Sequence, residues 1–152
     1  MVRRCIAAIA LLGLASTPLF GAAPYAYKLV LTPPEGPSDP SVEARYTHQL
    51  MACLEADATT IAMADCHVEE FDRQDAALNA AWKRAFPRQS KANQAALRTA
   101  QRQWVVARDP FCRKQADSYS GGSIAPIIYV SCRTELTIRR TIWLEQLATA
   151  PR

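Results

Sequence analysis

The sequence has few of the residues from which active sites and metal centres are built. It contains only two histidines, His48 and His67, and shows no nucleophile and base arranged for catalysis. Glu69 and Glu70 are adjacent, so on a helix they point in different directions and do not form a glycosidase pair. His67 and Glu70 share a helical face, but no further ligand completes a metal site. We therefore predict a protein that is not an enzyme and has no cofactor, with His67 as a packed core residue.

The start of the sequence lacks an apolar run long enough to cross a membrane. The stretch Cys5–Phe20 carries no charge but has 16 residues, whereas a spanning helix needs about 20. The basic pair Arg3-Arg4 precedes this stretch and small residues follow it, which is typical of a secretory signal. An uncleaved N-terminal anchor is the alternative.

Export divides the chain into three parts. We predict a signal peptide over residues 1–23, with cleavage somewhere within 15–26, then a proline-rich spacer over 24–39 and a helical domain over 40–149. The mature protein would be periplasmic or secreted, without a stable membrane anchor.

The net charge is also small. The formal net charge of +4 falls to +2 if Arg3 and Arg4 leave with the signal peptide, which is too little to predict a nucleic-acid or anionic membrane partner. The charges are nevertheless segregated, with seven Asp or Glu within residues 55–75 and nine Lys or Arg within 83–114. The simplest use of this pattern is an acidic helix antiparallel to a basic one, and two solvated faces are the alternative.

Export explains the cysteines. If Cys5 leaves with the signal peptide, Cys53, Cys66, Cys112 and Cys132 remain, and an even number in a small exported domain is typical of two disulfides. The pairs Cys53–Cys66 and Cys112–Cys132 each straddle a corner between predicted helices and would each contribute ~3 kcal/mol. The alternative is the crossed pairing, Cys66–Cys112 with Cys53–Cys132. A zinc site would need reduced thiolates at tighter spacing.

Apolar residues recur every three or four positions, and no alternating strand pattern is present. The predicted fold class is all-α, a small disulfide-linked bundle of about four antiparallel helices. We expect the third helix, with its stripe from Leu97 to Tyr119, to organise the others and to continue through Pro110 with a kink. Ser123 can cap the fourth helix. The predicted helices span about 40–56, 60–86, 91–119 and 124–148.

Four polar residues lie on or beside the predicted buried stripes. Asp75 and Asn79 belong to the second helix, and Gln101 and Arg108 to the third. Antiparallel pairing about residue 88 would bring Asp75 level with Gln101 and Arg102. Because buried carboxylates and amides need partners, we expect Asp75 and Asn79 to hydrogen-bond across to the third helix.

An ordered set of motifs over roughly residues 50–147 resembles the bacterial lysozyme-inhibitor LprI-like family. The chain departs from the family at Trp82, where tyrosine is usual, and at Pro110. The resemblance implies a small exported helical protein and lysozyme inhibition as its activity. The matching motifs are Cys53…Cys66, Phe71-x3-Asp75-x2-Leu78-Asn79-x2-Trp82, Leu97-x3-Gln101-x2-Trp104-x3-Arg108-Asp109-x2-Cys112, Gly121-Gly122-Ser123, Cys132 and Thr137-x2-Arg140.

Two segments are candidates for contact with a protein partner. The loop Ser120, Gly121, Gly122 and Ser123 lies between two cysteines and could protrude, although an ordinary helix–helix turn with a cap is the alternative. The acidic face within 55–75 suits a cationic target, as many lysozymes are. We therefore predict an exported binding protein whose implied partner is lysozyme. The alternative is a structural or stress-related envelope protein that binds another envelope component and has no inhibitor activity.

Overall fold

The structure, a computed structural model, describes residues 39–150, which contain five α-helices and no strand. The prediction of an all-α bundle is therefore confirmed. The predicted signal peptide, and the spacer up to residue 38, lie outside the described residues. Within the described part, no helix is long and apolar enough to cross a membrane. The helices are α1 (Pro40–Glu43), α2 (His48–Ala56), α3 (Thr60–Ala85), α4 (Lys91–Asp117) and α5 (Ala125–Thr149), with a 3-10 turn at Phe86–Arg88.

Side-chain caps fix where the first helices begin. Asp39 caps α1, and its carboxylate accepts a hydrogen bond at 2.9 Å from the backbone two residues later. The single helix expected over 40–56 is instead two helices, because Thr47 is extended and caps α2 by accepting the Leu50 N–H at 3.3 Å. The carboxylate of Glu70 also accepts the N–H of Thr47 at 3.1 Å, so Thr47 does not continue α1.

The last helix, and not the third, lies at the centre of the bundle. Helix α5 packs against both α3 and α4 and also contacts α1, whereas α3 and α4 approach each other less closely. Eight residues of α5 are buried, more than in any other helix of the described part. The expectation that the third helix organises the fold is therefore wrong. Helix α4 has a single buried stripe, whereas α5 is buried on two sides.

The three long helices do not all alternate in direction. Helices α3 and α5 run parallel, because α4 lies between them in the chain and is antiparallel to both. One end of the bundle thus holds the starts of α3 and α5 with the end of α4, and the other holds the 3-10 turn with the end of α5. The contacts that show this are His67 with Ser131 and Arg84 with Glu145 between α3 and α5, and Gln101 with Arg140 and Cys112 with Cys132 between α4 and α5.

Small residues allow α3 and α5 to pack closely. Ala81 and Ala85 of α3 are fully buried, and so are Thr134 and Thr137 of α5, with Thr141 nearly so. Each threonine hydroxyl donates to the backbone carbonyl one turn earlier, at 2.7 to 2.9 Å. These bonds satisfy the hydroxyl donors within α5, and the Thr137 hydroxyl also accepts a bond from Arg108 of α4 at 3.3 Å. The larger side chains of the core include Leu78, Leu97, Trp104, Leu136 and Leu144.

Two disulfides join neighbouring helices. Cys53–Cys66 joins α2 to α3, and Cys112–Cys132 joins α4 to α5, with Cα–Cα distances of 5.8 and 5.5 Å. The structure thus has the sequential pairing and not the crossed alternative. All four cysteines of the described part are oxidised in this arrangement, which leaves no thiolate there for zinc.

The hairpin of α3 and α4 is offset from the expected register. Asp75 lies opposite Arg108, with 3.7 Å between carboxylate and guanidinium, about two turns further along α4 than Gln101. The two helices thus pair about a point near the start of α4, and not about residue 88. Asn79 does not bond across to α4, contrary to expectation. It is exposed, and its amide donates to the carbonyl and carboxylate of Asp75 within α3, at 2.9 and 3.0 Å.

Two local predictions about the later helices have different outcomes. Helix α4 continues through Pro110. Ser123 does not cap α5, because Ile124 occupies the N-cap position and makes no side-chain cap bond. The first turn needs little capping, since Pro126 has no N–H and the first helical N–H bonds to the carbonyl of Gly122 at 3.3 Å.

Candidate binding surface

The two segments predicted as contact candidates lie at the same end of the bundle. Because α3 and α5 are parallel, the corner between α2 and α3 (residues 57–59) and the loop between α4 and α5 (residues 118–124) are both found where α3 and α5 begin. We call this the loop end and include in it the first half of α3, residues 60–72. Its chemistry comes from two parts of the chain that are far apart in sequence, residues 57–72 and residues 118–124.

The loop is built from consecutive hydrogen-bonded turns. The N–H of Ser120 bonds to the Asp117 carbonyl at 3.1 Å, and that of Gly122 to the Tyr119 carbonyl at 3.0 Å. Gly121 has φ +84°, in the left-handed region that favours glycine. At Gly122 an added Cβ would lie 3.2 Å from the Tyr119 carbonyl oxygen, a tight contact. The two glycines thus make a defined turn possible here.

Two large apolar side chains flank the glycines. Tyr119 is 49% exposed and Ile124 is 46% exposed, and every residue from 118 to 124 is exposed. The Cys112–Cys132 disulfide ties α4 to α5 about two turns below the loop. A loop held in this way presents its side chains with little conformational entropy left to lose on binding.

An acidic stripe with exposed apolar residues runs along the outer side of α3. Asp65, Glu69 and Asp72 are exposed there. Ile61, 78% exposed, lies one turn before Asp65, and Val68, 48% exposed, lies between Asp65 and Glu69. These residues follow one another at helical spacing, so they share the face of α3 that points away from the rest of the bundle. We call this face the acidic stripe.

The acidic stripe is not neutralised by the basic helix α4. Among the described residues, Asp65 and Asp72 form no ion pair, and Glu69 pairs only with Arg73 of its own helix, at 3.5 Å. Asp75 alone joins the acidic part of α3 to α4, through its 3.7 Å contact with Arg108. The interpretation of an acidic helix lying against a basic one is therefore wrong for most of these charges, because the acidic stripe faces outward.

One acidic residue of this region is fully buried and supports the surface from inside. The carboxylate of Glu70, 0% exposed, accepts hydrogen bonds from the backbone and hydroxyl of Thr47, from Arg73 Nε at 3.0 Å and from Gln74 Nε2 at 2.8 Å. Gln74 also donates to the carbonyl of Arg45 at 2.7 Å. Burial raises the pKa of Glu70, but the bonds from Thr47, Gln74 and Arg73 outweigh it and hold the pKa below its ordinary value.

The role of Glu70 was missed from the sequence. In the sequence it is one of the seven acidic residues of 55–75, but it lies four residues from both Cys66 and Gln74, which are buried as well. That spacing places it on the buried side of α3 and was the signal available. The network of Glu70 holds the turn between α1 and α2 against α3.

Alternating arginine and aromatic side chains run from the surface beside the Cys112–Cys132 disulfide into the core. Each guanidinium lies 4.0 to 5.7 Å from the centre of a neighbouring ring. Such contacts contribute roughly 0.5 to 2 kcal/mol each. The order is Arg113, Tyr129, Arg133, Phe71, Arg108, Trp104, Arg140 and Trp143.

Three of the predicted structural polar residues join this layer. Arg108 is nearly buried and donates to Thr137 at 3.3 Å as well as contacting Asp75, and Gln101 accepts the Nε of Arg140 at 2.8 Å. Asn79 stays outside it. Arg140, which the sequence places in the motif Thr137-x2-Arg140 without a structural role, is fully buried.

Asp109 links two arginines of the layer. It accepts the Nε of Arg108 at 2.9 Å and the Nε of Arg133 at 3.0 Å. Burial raises the pKa of Asp109, but the hydrogen bonds and charges of Arg108 and Arg133 outweigh that effect and hold the pKa below its ordinary value. The layer therefore ties α3, α4 and α5 together beneath the loop end.

His67 lies where it contributes to packing between α3 and α5. His67 is half-buried, so it is less enclosed than expected, and its Nδ1 lies 3.3 Å from the Ser131 hydroxyl. Burial lowers the pKa of His67. In the described part of the chain, no three His, Cys, Asp or Glu side chains are grouped to hold a metal ion. The chemistry that the loop end offers is recognition by apolar and acidic side chains.

Comparison with known proteins gives one family and one relative. The family model described as lysozyme inhibitor LprI matches residues 51–144. An uncharacterised protein of Rhizobium meliloti strain 1021 is 40% identical over 52 residues, which are 34% of this chain and 37% of that protein. The matched part thus spans little more than a third of that relative. No solved structure matches the chain.

Proposed function

Because the chain belongs to the lysozyme inhibitor LprI family, we propose that it is an exported protein that binds and inhibits a lysozyme-type muramidase. The observation that carries the proposal is the family match over 51–144, which takes in both disulfides, the acidic stripe and the loop. The two disulfides fit an oxidising compartment outside the cytoplasm.

The loop end supplies what a protein inhibitor needs. Tyr119 and Ile124 offer exposed apolar anchors on a defined turn, and aromatic anchors dominate many protein interfaces. The acidic stripe offers unpaired negative charge to a cationic target. Complementary charge of this kind raises the association rate and selects the partner.

The distribution of charge within the loop end also suits a muramidase cleft. Such a cleft carries a pair of catalytic carboxylates. The loop from 118 to 124 has no charged residue, so it would not repel those carboxylates. The acidic stripe would instead face the basic surface around the cleft. Inhibition would then follow because the bound loop end excludes the substrate, with no reactive group involved.

A turbidity assay tests the proposal directly. Lysozyme clears a suspension of bacterial cell walls, and the purified protein should slow this clearing until inhibition saturates. No inhibition at a large excess of protein would remove the proposal.

A pair of variants tests whether the loop end is the contact surface. Tyr119→Ala should weaken inhibition about tenfold or more, as expected for a central aromatic anchor. Val106→Ala is the matched control, because Val106 is 75% exposed but lies on the middle of α4. If the parent inhibits and both variants act alike, inhibition stands but the loop is not the contact.

A further inference from the structure

The end of the bundle opposite the loop end is basic. Here the 3-10 turn at Phe86–Arg88 lies beside the last turns of α5, and the cations of the predicted basic segment gather around it. Phe86 is stacked on Trp82, with ring centres 5.0 Å apart, and the guanidinium of Arg98 lies 5.0 Å from the Phe86 ring. These contacts hold the turn in place, so the cations around it are displayed on a fixed frame.

Two adjoining clefts open at this basic end. One has a volume of about 570 Å³ and the other about 630 Å³, and they share Pro87 and Arg88 in their walls. The larger cleft is also lined by Lys83, Arg84 and Glu145. The smaller one is lined by polar side chains at the start of α4, among them Ser90. Clefts of this size accommodate a small ligand or a lipid headgroup.

The charge in the clefts is only partly compensated. Glu145 is the one carboxylate that lines them, and it pairs with Arg84 at 3.1 Å and with Arg45 at 2.7 Å. Lys83 and Arg88 are exposed and form no ion pair with any described residue. Two free cations thus remain beside an already paired carboxylate. The small net charge of the whole chain conceals this local excess.

We propose that these clefts at the basic end form a binding site for a phosphate-bearing anion. Arg88 is the central residue, because it lines both clefts and its planar guanidinium matches two phosphate oxygens. Lys83 adds a second cation in the larger cleft. Ser90 lines the smaller cleft, where its hydroxyl accepts the N–H of Asn93 at 3.3 Å and keeps its own hydrogen to donate. The ligand chemistry is a phosphate group, carried either by a lipid headgroup or by a small soluble molecule. Because the site and the loop end are at opposite ends, an occupied site leaves the loop end free.

Two probes distinguish the sources of phosphate. Pyrophosphate is titrated into the purified exported chain at low ionic strength and followed by backbone amide NMR shifts. Vesicles of phosphatidylglycerol and phosphatidylcholine in equal parts are sedimented with the protein, beside vesicles of phosphatidylcholine alone. The cleft variant is Lys83→Gln with Arg88→Gln. The matched control, Arg102→Gln with Lys114→Gln, removes the same charge from exposed positions of α4 away from the clefts.

The cleft variant should bind the anionic vesicles about thirtyfold more weakly, whereas the control should stay within about threefold of the parent. Loss of binding that is confined to the cleft variant supports the site, whichever probe shows it. Binding of the vesicles identifies a lipid headgroup as the ligand, and binding of pyrophosphate identifies a soluble phosphate. Equal loss in both variants, or no binding of either probe by the parent, overturns the proposal. The cleft variant should still inhibit lysozyme, which keeps this test independent of the proposed function.

Discussion

Glu70 should be the acidic residue whose loss destabilises the fold most. Its side chain is fully buried and accepts four hydrogen bonds, two from Thr47, one from Arg73 and one from Gln74. In Glu70→Gln the shape is kept, but the charge is lost and an amide group faces several of these donors. Breaking a fully buried ion pair costs about 3 to 5 kcal/mol. Because the side chain of Arg73 is 31% exposed, we expect the lower end of that range, about 3 kcal/mol, against the roughly 5 to 15 kcal/mol that stabilises a domain.

The neighbouring residue provides the control. Glu69 is 65% exposed and pairs with Arg73 at 3.5 Å, so Glu69→Gln should change the free energy of unfolding by less than about 0.5 kcal/mol. Urea denaturation at neutral pH, with the disulfides intact, measures both variants. The slope of the unfolding free energy against urea should be unchanged, so that the shift in midpoint reports stability.

The pH dependence gives a second, sharper test. The folded-state pKa of Glu70 lies below its ordinary value of 4.5, which the unfolded chain should show. The carboxylate therefore contributes its full stabilisation above about pH 4.5, and loses it as the pH falls through the folded pKa. Because glutamine does not titrate, the stability gap between parent and Glu70→Gln should shrink in that acidic range. A gap that is constant from neutral to acidic pH, or absent at neutral pH, would refute the buried network.

Three further predictions concern the loop end. Gly121→Ala should lower the free energy of unfolding by about 1 kcal/mol in thermal denaturation, because φ +84° strains an L-residue; an unchanged melting temperature would contradict the turn. Asp65→Asn with Asp72→Asn should slow association with lysozyme severalfold at low salt and have little effect at high salt, as measured by surface plasmon resonance. An unchanged association rate would exclude the acidic stripe from steering. Cys112→Ser with Cys132→Ser should cost ~3 kcal/mol in urea denaturation, and a variant as stable as the parent would show that this cross-link does not constrain the chain.

The segment before the family match is held to the bundle by polar contacts. Asp39 pairs with Arg139 of α5 at 3.3 Å, Arg45 pairs with Glu145 at 2.7 Å, and Thr47 bonds to Glu70. Together with the Cys53–Cys66 disulfide, these contacts fasten α1 and α2 across α3 and α5. The acidic stripe on α3 is left uncovered as a result.

The sequence by itself determined the local structure. Helical periodicity and the continuation of the buried stripe through Pro110 depend on residues close together in the chain, and they predicted an all-α bundle. Local sequence patterns predicted the helix boundaries less well where a residue distant in the chain binds the backbone. Thr47 breaks the expected first helix because a carboxylate 23 residues later binds its N–H.

Only the tertiary structure decided which helix lies at the centre of the bundle and which segments lie at the same end of it. The parallel course of α3 and α5 brings the loop and the acidic stripe together at one end, and at the other end sets Lys83, Arg84 and Arg88 beside the last turns of α5. These juxtapositions depend on which helix faces meet. The two buried sides of α5 are covered only when both α3 and α4 pack against it. Helical spacing places a residue on a face of its own helix, but the partner that covers that face is set by packing between distant segments.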